Sequence, residues 1–204
     1  MSWFSNIFGK VKSQAQDIIP MLKEPEINLD GVTQQQLDFI FKYGQGSNKL
    51  GKYESKNFTD LPYGIVRMDI LTLQKKELHL EAIMMILECQ FDKVSLKGVT
   101  QNDLFAFLVW MKKEQDKLFT RERNYLSSDP DPETVAAGIN RLDEFGALAT
   151  IHTLAHNQVW RHKDIYNTPY FEIYQVLKLE KVQRDVQKAH QKIMEQKAKS
   201  QKQK

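Results

Sequence analysis

The stretch Asn167-Thr168-Pro169-Tyr170-Phe171-Glu172-Ile173-Tyr174-Gln175-Val176-Leu177 marks the beginning of a long helix. The Thr168 hydroxyl can cap the first helical N–H groups, and Pro169 suits the first helical position, where no N–H is needed. No proline or glycine occurs between Pro169 and Lys204, so no residue type interrupts the helix. The sequence therefore predicts one helix that runs from Pro169 toward Lys204.

Apolar residues along this helix are dense at first and then sparse. Between Phe171 and Leu179 they cover much of the helix surface, which indicates burial on several sides. Further along they recur every three or four residues, as a narrow stripe of Val182, Val186, Ala189, Ile193 and Met194. Such a stripe is typical of a helix that packs against one partner helix.

The last part of the helix is strongly basic. From Lys178 to Lys204 there are nine Lys or Arg and three Asp or Glu, a net charge of +6, whereas the whole chain carries +3. The rest of the chain is therefore mildly acidic, and residues 181–204 form a basic helical extension. This extension is either a solvated terminal helix or a segment that docks on another subunit or an acidic surface. For docking, Arg184, Lys188 and Lys192 would provide charge complementarity.

Composition indicates a folded protein without an internal disulfide. Of the 204 residues, 41% are hydrophobic and 27% are charged, as expected for a globular chain with a substantial core. The single cysteine, Cys89, follows the apolar run Ile83-Met84-Met85-Ile86-Leu87, which predicts a buried, unreactive thiol. No apolar run reaches the roughly 18 residues that a membrane span needs. We therefore expect folding in a reducing cytoplasm.

Residues 1–29 have the pattern of an amphipathic arm. Aromatic and aliphatic residues fall near one face of a helix, beginning with Trp3, Phe4, Ile7 and Phe8. The continuous apolar region of a signal peptide is absent, and the polar face carries too little charge to favour lipid strongly. We expect the arm to pack against the body or a neighbouring subunit rather than a membrane, with these four residues as anchors.

Residues 30–180 have the pattern of a helical body. The expected fold class is therefore all-α, an irregular helical bundle with a protruding N-terminal arm and a long C-terminal helix. Thr100 predicts the start of a helix of about 25 residues. Its second half, 112–126, carries charges of both signs and is expected to leave the core as an exposed rod. The glycine-rich segment 43–52 lacks the Gly-Lys-Ser/Thr ending of a phosphate loop and predicts a flexible loop that orders against a neighbour.

Two short sequences occur twice in the chain. Gly31-Val32-Thr33-Gln34 matches Gly98-Val99-Thr100-Gln101, and the Pro-Tyr pair at 62–63 recurs at 169–170. The offsets of the two matches differ, so there is no strict repeat period. Either a helical unit was duplicated and acquired an insertion, or helix starts simply look alike.

No set of residues has the pattern of a catalytic, metal or cofactor site. His152 and His156 have the i, i+4 spacing of two zinc ligands, but no glutamate follows His152 and no third ligand is evident. A Ser/His/Asp order and a dinucleotide fingerprint are also missing. We therefore expect no catalytic residue, no metal and no cofactor.

The segment 131–188 contains four short motifs that carry a resemblance to known proteins. The residues that carry the resemblance are Val135-Ala136-Ala137-Gly138-Ile139, Leu142-Asp143-Glu144-Phe145-Gly146, Thr150-Ile151-His152-Thr153-Leu154-Ala155, and Trp160 before Thr168-Pro169-Tyr170. They resemble small helical proteins from the structural-gene modules of tailed phages and prophages. Those proteins include tail-assembly-chaperone-like proteins and the ring proteins of the crAss-like phage neck and tail. The motifs are structural, so the resemblance implies no active-site residue.

The expected function is that of a virion structural protein without enzymatic activity. The resemblance implies a ring-forming homo-oligomer at the portal–tail junction, assembled in the host cytoplasm, with portal, neck or tail proteins as neighbours. Its subunits would join through long helices and terminal arms, because these segments offer more apolar surface than one subunit can bury. One alternative is a cytoplasmic tail-assembly chaperone. Another is a nucleic-acid-binding protein that uses the basic extension, which the acidic body and the lack of stacking aromatics disfavour.

Overall fold

The computed structural model describes residues 34–127 and 132–202. It is 74% helical with little strand, and it ends in a long C-terminal helix, so the predicted all-α class is confirmed. The N-terminal arm lies outside the described residues, together with its expected anchors Trp3, Phe4, Ile7 and Phe8. Within the described ranges, no helix is long and apolar enough to cross a membrane.

The chain divides into two compact units. The first contains, of the described chain, residues 34–61 and 65–116, and the second contains 62–64 and 117–202. The boundary near residue 116 falls inside a helix, so no linker separates the two units along the sequence.

The first unit combines helices with one small hairpin. Its elements in chain order are α1 (Gln34–Tyr43), β1 (Lys49–Leu50), β2 (Tyr53–Glu54), a 3-10 turn (Phe58–Asp60), a π-helical turn (Ile65–Asp69), α2 (Ile70–Lys75), α3 (His79–Glu88) and the first part of α4 (Gln101–Tyr125). The strands pair antiparallel, with Leu50 opposite Tyr53. The core of this unit includes fully buried Phe58, Ile70, Ile83 and Phe107.

The start of α4 follows the expectation from sequence. The Thr100 hydroxyl accepts a hydrogen bond from the Asp103 N–H at 3.2 Å, and the Asp103 carboxylate accepts one from the Thr100 N–H at 3.0 Å. This reciprocal pair is a capping box with aspartate in the place of glutamate. The helix then continues for 25 residues, as the absence of a breaker predicts.

The segment 43–52 differs from the flexible loop that its glycines predict. Gly46 lies so close to α4 that a Cβ atom there would be 2.8 Å from backbone atoms of Trp110. The Ser47 N–H donates to the carbonyl of Ala106 at 2.9 Å, and the Lys113 ammonium donates to the carbonyl of Gly44 at 2.9 Å. The expectation of order only against a neighbour is therefore wrong, because α4 of the same chain orders the loop.

The second half of α4 also differs from the exposed rod expected for 112–126. Gln115 and Leu118 are 2% and 3% exposed. Gln115 exchanges two side-chain hydrogen bonds with Gln74, at 2.9 and 3.1 Å. The charged residues lie on the remaining faces, and Lys112 pairs with Asp116 at 3.0 Å. The mixed charges predict a solvated helix, but the charged side chains cover only part of its surface.

The second unit is built from short helices and one very long one. Its elements are the end of α4, α5 (Pro132–Ala136), a 3-10 segment (Ile139–Phe145), α6 (Ala147–Leu154), a 3-10 turn (Val159–Arg161), α7 (His162–Asn167) and α8 (Tyr170–Lys202). The segment 132–145 is not one continuous helix, because Gly138 takes a φ of +86° and ends α5. Helix α8 has 33 residues.

The start of α8 is held by a column of tyrosine rings. The Tyr63 and Tyr170 rings stack with centroids 6.1 Å apart, and the Tyr170 and Tyr174 rings stack at 6.3 Å. The Tyr170 hydroxyl donates to the Glu122 carboxylate at 2.7 Å. Burial raises the pKa of Tyr174, the neighbouring Arg121 charge lowers it, and Tyr125 and Glu122 raise it further. The first turns of α8 are therefore fixed by aromatic packing on one side. The burial on several sides that their dense apolar pattern predicts is wrong, because Phe171, Val176 and Leu179 are exposed.

The predicted role of Thr168 as a helix cap is wrong. Its hydroxyl donates backwards to the carbonyl of Asp164 at 2.7 Å and so closes α7 instead of opening α8. The Pro169 carbonyl starts α8 by accepting hydrogen bonds from the N–H groups of Glu172 and Ile173. Both arrangements use a Thr-Pro sequence at a helix junction, and local sequence alone does not distinguish them.

Candidate interaction surface of the C-terminal unit

The second unit exposes an apolar stripe along α8. Leu179, Val182, Val186 and Ile193 are 58%, 52%, 62% and 49% exposed, and Ala189 between them is exposed as well. Their spacing of three and four residues is that of the a and d positions of a coiled coil. We call these five residues the heptad stripe.

The heptad stripe lies on the side of α8 that faces away from the core of its own unit. The buried side of the helix carries Tyr170, Ile173 and Tyr174. Since each residue advances by about 100° around a helix, the stripe is roughly 150° from this buried side. The second unit therefore cannot cover the stripe with the residues that hold the start of α8.

The predicted contact residues Arg184, Lys188 and Lys192 are all exposed on α8. They follow one another at intervals of four residues and form a basic row, which runs from the side opposite the heptad stripe at Arg184 to the edge of the stripe at Lys192. The structure thus brings these three side chains onto one face, whereas the four aromatic and aliphatic anchors of the arm remain outside the described residues.

Asp185 is the one acidic residue between Lys181 and Lys192 of α8. The Lys181 ammonium donates to the Asp185 carboxylate at 2.8 Å, and this hydrogen bond is the largest cause that lowers the pKa of Asp185. Desolvation opposes this effect, and the charges of Lys181, Lys188 and Arg184 lower the pKa further. The carboxylate is therefore charged at neutral pH, and a cation on another chain would share it with Lys181.

A second set of exposed apolar side chains lies before α8. These residues belong to α5 and the two 3-10 segments, and they are Val135, Ile139, Leu142, Phe145, Val159 and Trp160. Trp160 is 76% exposed, the largest value among the exposed large hydrophobic residues of the described chain. Tryptophan is enriched at the centres of protein–protein interfaces, so this exposure favours a contact role.

The histidines are paired differently from the spacing in the sequence. His152 Nδ1 lies 3.0 Å from His162 Nε2, with the two rings perpendicular. His156 instead ends its helix with a positive φ of 52°. Among the described residues, no group of three His, Cys, Asp or Glu side chains is placed to hold a metal ion. Only the fold of α6 onto α7 brings His162 to His152, so the i, i+4 spacing could not reveal this pair.

Cys89 is not the buried residue that its apolar neighbourhood predicts. It follows the end of α3 and is exposed as a residue, while its Sγ donates to the carbonyl of Ile86 at 3.0 Å. Desolvation around the sulfur nevertheless raises the pKa of Cys89 to about 11, against lowering effects of a backbone hydrogen bond and Lys56. The expectation of a buried residue is therefore wrong. The raised pKa nevertheless leaves little of the reactive thiolate near neutral pH, so a thiol of low reactivity is still expected.

The sequence predicts an apolar stripe on α8, but it does not indicate how far the stripe extends or which charged residues lie beside it. The spacing of Val182, Val186, Ala189 and Ile193 indicated one partner helix, and the structure leaves that face exposed. The apolar spacing gives no signal for Asp185, although it is the only acidic residue between Lys181 and Lys192 in a basic segment.

Comparison of the chain with protein-family models, curated proteins and solved structures finds no match.

Proposed function

We propose that this protein is a structural or assembly subunit without enzymatic activity, which works through protein–protein contacts of its second unit. The observation that carries the proposal is the balance of apolar side chains. In the described part of the second unit, fourteen large hydrophobic residues are exposed and eight hydrophobic residues are buried. Extensive exposed apolar surface on a folded protein marks a binding surface.

The proposed assembly is a ring at the portal–tail junction of a tailed phage. The resemblance of segment 131–188 to phage neck and tail proteins supports this setting. The second unit offers two different apolar surfaces, the heptad stripe and the set around Trp160. A ring needs a heterologous contact between two different surfaces of the same subunit, and the set around Trp160 can supply one side of that contact.

The test is the mass and shape of the purified full chain, by light scattering and electron microscopy. A closed ring of many copies is the expected result. Replacing Trp160 by Ser is expected to reduce assembly while leaving the helical content unchanged, and Lys163→Ser, a change at an exposed residue of α7, serves as control. A chain that stays monomeric up to about 100 μM contradicts the ring, since subunits of stable rings associate well below that concentration.

A tail-assembly chaperone is the second candidate function. The same exposed apolar side chains could hold an unfolded tail protein, and this protein would then be absent from the finished particle. Mass spectrometry of purified virions separates the two functions. Detection of the chain in stoichiometric amounts supports the structural subunit, and its absence supports the chaperone.

A further inference from the structure

The heptad stripe has the length and the chemistry of one half of a helix pair. Its residues span Leu179 to Ile193 with the sequence of intervals three, four, three and four. A single partner helix covers such a stripe by inserting its own a and d residues between them. The exposure of all five residues leaves the place for this partner open.

The charges beside the stripe identify the partner. Asp185 and Lys192 each precede an a-position residue and therefore occupy two successive g positions. In an antiparallel pair of helices, g positions face g positions. If Val186 packs beside Ala189 of a second copy, Asp185 lies opposite Lys192 of that copy, and Lys192 lies opposite its Asp185. Two opposite-charge pairs thus flank one apolar contact.

The same register also fills the four central layers with apolar side chains, whereas Leu179 meets Gln196 of the second copy. Val182 meets Ile193 of the second copy, Val186 meets its Ala189, and the two-fold axis repeats both layers. The largest side chain in these layers is Ile193, and in each copy it faces the smaller Val182 of the other copy. Like charges meet only at the ends, where Lys178 approaches Lys199, and the Lys178 ammonium already lies over the Tyr125 ring at 5.3 Å.

A parallel pair has less favourable charges. In a parallel coiled coil, a g position faces the e position five residues further along the other helix. Lys192 would then face Lys197 of the second copy on both sides, and Asp185 would face His190. No opposite-charge pair of Asp with Lys or Arg would form. The antiparallel direction is therefore the one that the sequence of α8 favours.

We propose that α8 pairs with α8 of a second copy of this chain, antiparallel, with the two-fold axis between Val186 and Ala189. The contact is isologous, because the same surface is used on both subunits. It is therefore distinct from the heterologous contact of a ring, and it goes beyond the proposed function. Together, the two contacts would join two rings, or pre-formed dimers, into one particle.

Disulfide trapping tests the direction of the pair in the full-length protein. Cys89→Ser removes the native thiol, and Val186→Cys and Ala189→Cys are then introduced into two separately tagged chains. The antiparallel pair predicts a disulfide mainly in the mixture, between Cys at 186 of one chain and Cys at 189 of the other. Gln187→Cys, on a different exposed side of α8, is the matched control and is expected to cross-link little. Efficient cross-linking of each variant with itself indicates a parallel pair and overturns the proposal.

Charge exchange tests the flanking pairs by sedimentation equilibrium at low salt. Asp185→Lys places lysine opposite Lys192 twice and is expected to lower the association constant by about tenfold. The double variant Asp185→Lys with Lys192→Asp restores both opposite-charge pairs and is expected to return association to within about threefold of the original. Glu195→Lys makes the same change of charge at an exposed position of α8 outside the contact and is the matched control. Equal weakening by Glu195→Lys, or no recovery in the double variant, overturns the flanking pairs.

Two results exclude a second copy as the occupant. If residues 1–29 of the same or another chain cover the stripe, deleting them increases association through α8, and Phe8→Cys cross-links to Val186→Cys in the Cys89→Ser chain. A full chain whose α8 stays unpaired up to about 100 μM, with unchanged helical content by circular dichroism, also overturns the proposal. A ring without α8 cross-links overturns this inference and leaves the proposed function intact. A dimer that is cross-linked through α8 but forms no ring supports this inference and contradicts the proposed ring.

Discussion

The two units of this protein use apolar residues in opposite ways. In the described part of the first, nineteen hydrophobic residues are buried and three large ones are exposed, whereas in the described part of the second the numbers are eight and fourteen. Burial of apolar surface is the main favourable contribution to folding. The described residues of the first unit therefore have the composition of a stable scaffold, and those of the second leave much of their apolar surface exposed, as the proposed contacts require.

The largest test of this difference removes a buried ring from the first unit. Phe107 is fully buried and its ring lies 4.9 Å from the Trp110 ring. Phe107→Ala is expected to lower the free energy of unfolding by about 3–5 kcal/mol, through lost burial and a residual cavity. Phe171→Ala in the second unit, at a residue 45% exposed, is the matched change and is expected to cost under about 1 kcal/mol. Equal losses from the two changes, in denaturation curves, would remove the contrast between the units.

The labelling rate of Cys89 tests whether the first unit lowers the reactivity of a side chain at its surface. A pKa raised to about 11 leaves little thiolate near pH 8, because the folded protein favours the neutral thiol. Labelling by a disulfide reagent is expected to be roughly ten to a hundred times slower than for the unfolded chain, and to accelerate as pH rises toward 11. A cysteine at exposed position 187, in a Cys89→Ser chain, is the control and should react at the rate of an unfolded chain. Fast labelling of Cys89 at pH 8 would contradict this shift.

A smaller effect is expected from the tyrosine column of the second unit. Tyr170→Phe keeps the stacked ring and removes the hydrogen bond to the Glu122 carboxylate. Because this bond to a charged group is largely buried, its loss should cost about 1.5–3 kcal/mol in unfolding experiments. Tyr174→Phe makes the same chemical change one turn further along and calibrates the measurement. A smaller loss at Tyr170 than at Tyr174 would show that stacking alone holds the start of α8.

The smallest effect on stability is expected where the exposed apolar surface is largest. Trp160→Ser is expected to change the free energy of unfolding by less than about 0.5 kcal/mol, since the side chain is 76% exposed. Assembly, in contrast, should weaken measurably. A clear loss of stability without any change in assembly would assign Trp160 to the fold and weaken the proposed division of roles.

The sequence predicts features that depend on neighbours along the chain. The helices α4 and α8 follow from apolar spacing and the absence of breakers, and the Thr100 cap follows from local hydrogen bonds. The exposed stripe on α8 was also visible as a regular interval of apolar residues. Each of these features depends on residues that lie within a few positions of one another in the sequence.

The predictions that are wrong depend on contacts between distant segments. The segment 43–52 is ordered because α4 passes beside Gly46, and nothing near Gly46 in the sequence indicates this approach. His152 meets His162 through the packing of α6 and α7. Such outcomes follow from tertiary packing, which overrides local preference.

The repeated Pro-Tyr sequence has a physical role, whatever its origin. Pro62 and Pro169 are antiparallel bridge partners, and the Tyr63 N–H donates to the carbonyl of Thr168 at 2.9 Å. Tyr166 fills the space beside Gly64, where a Cβ would lie 1.9 Å from its ring. Duplication of a helical unit and simple similarity of helix starts both stay hypotheses for the repeat.

This pairing means that the second unit is not a continuous piece of the polypeptide. Three of its residues, 62–64, are made long before the rest of it during synthesis. A fragment that starts at residue 117 would leave the Thr168 carbonyl and the Tyr170 ring without these partners. The unit that carries the exposed surface therefore cannot be excised by a single cut, and a transplanted version would have to bring the 62–64 segment with it.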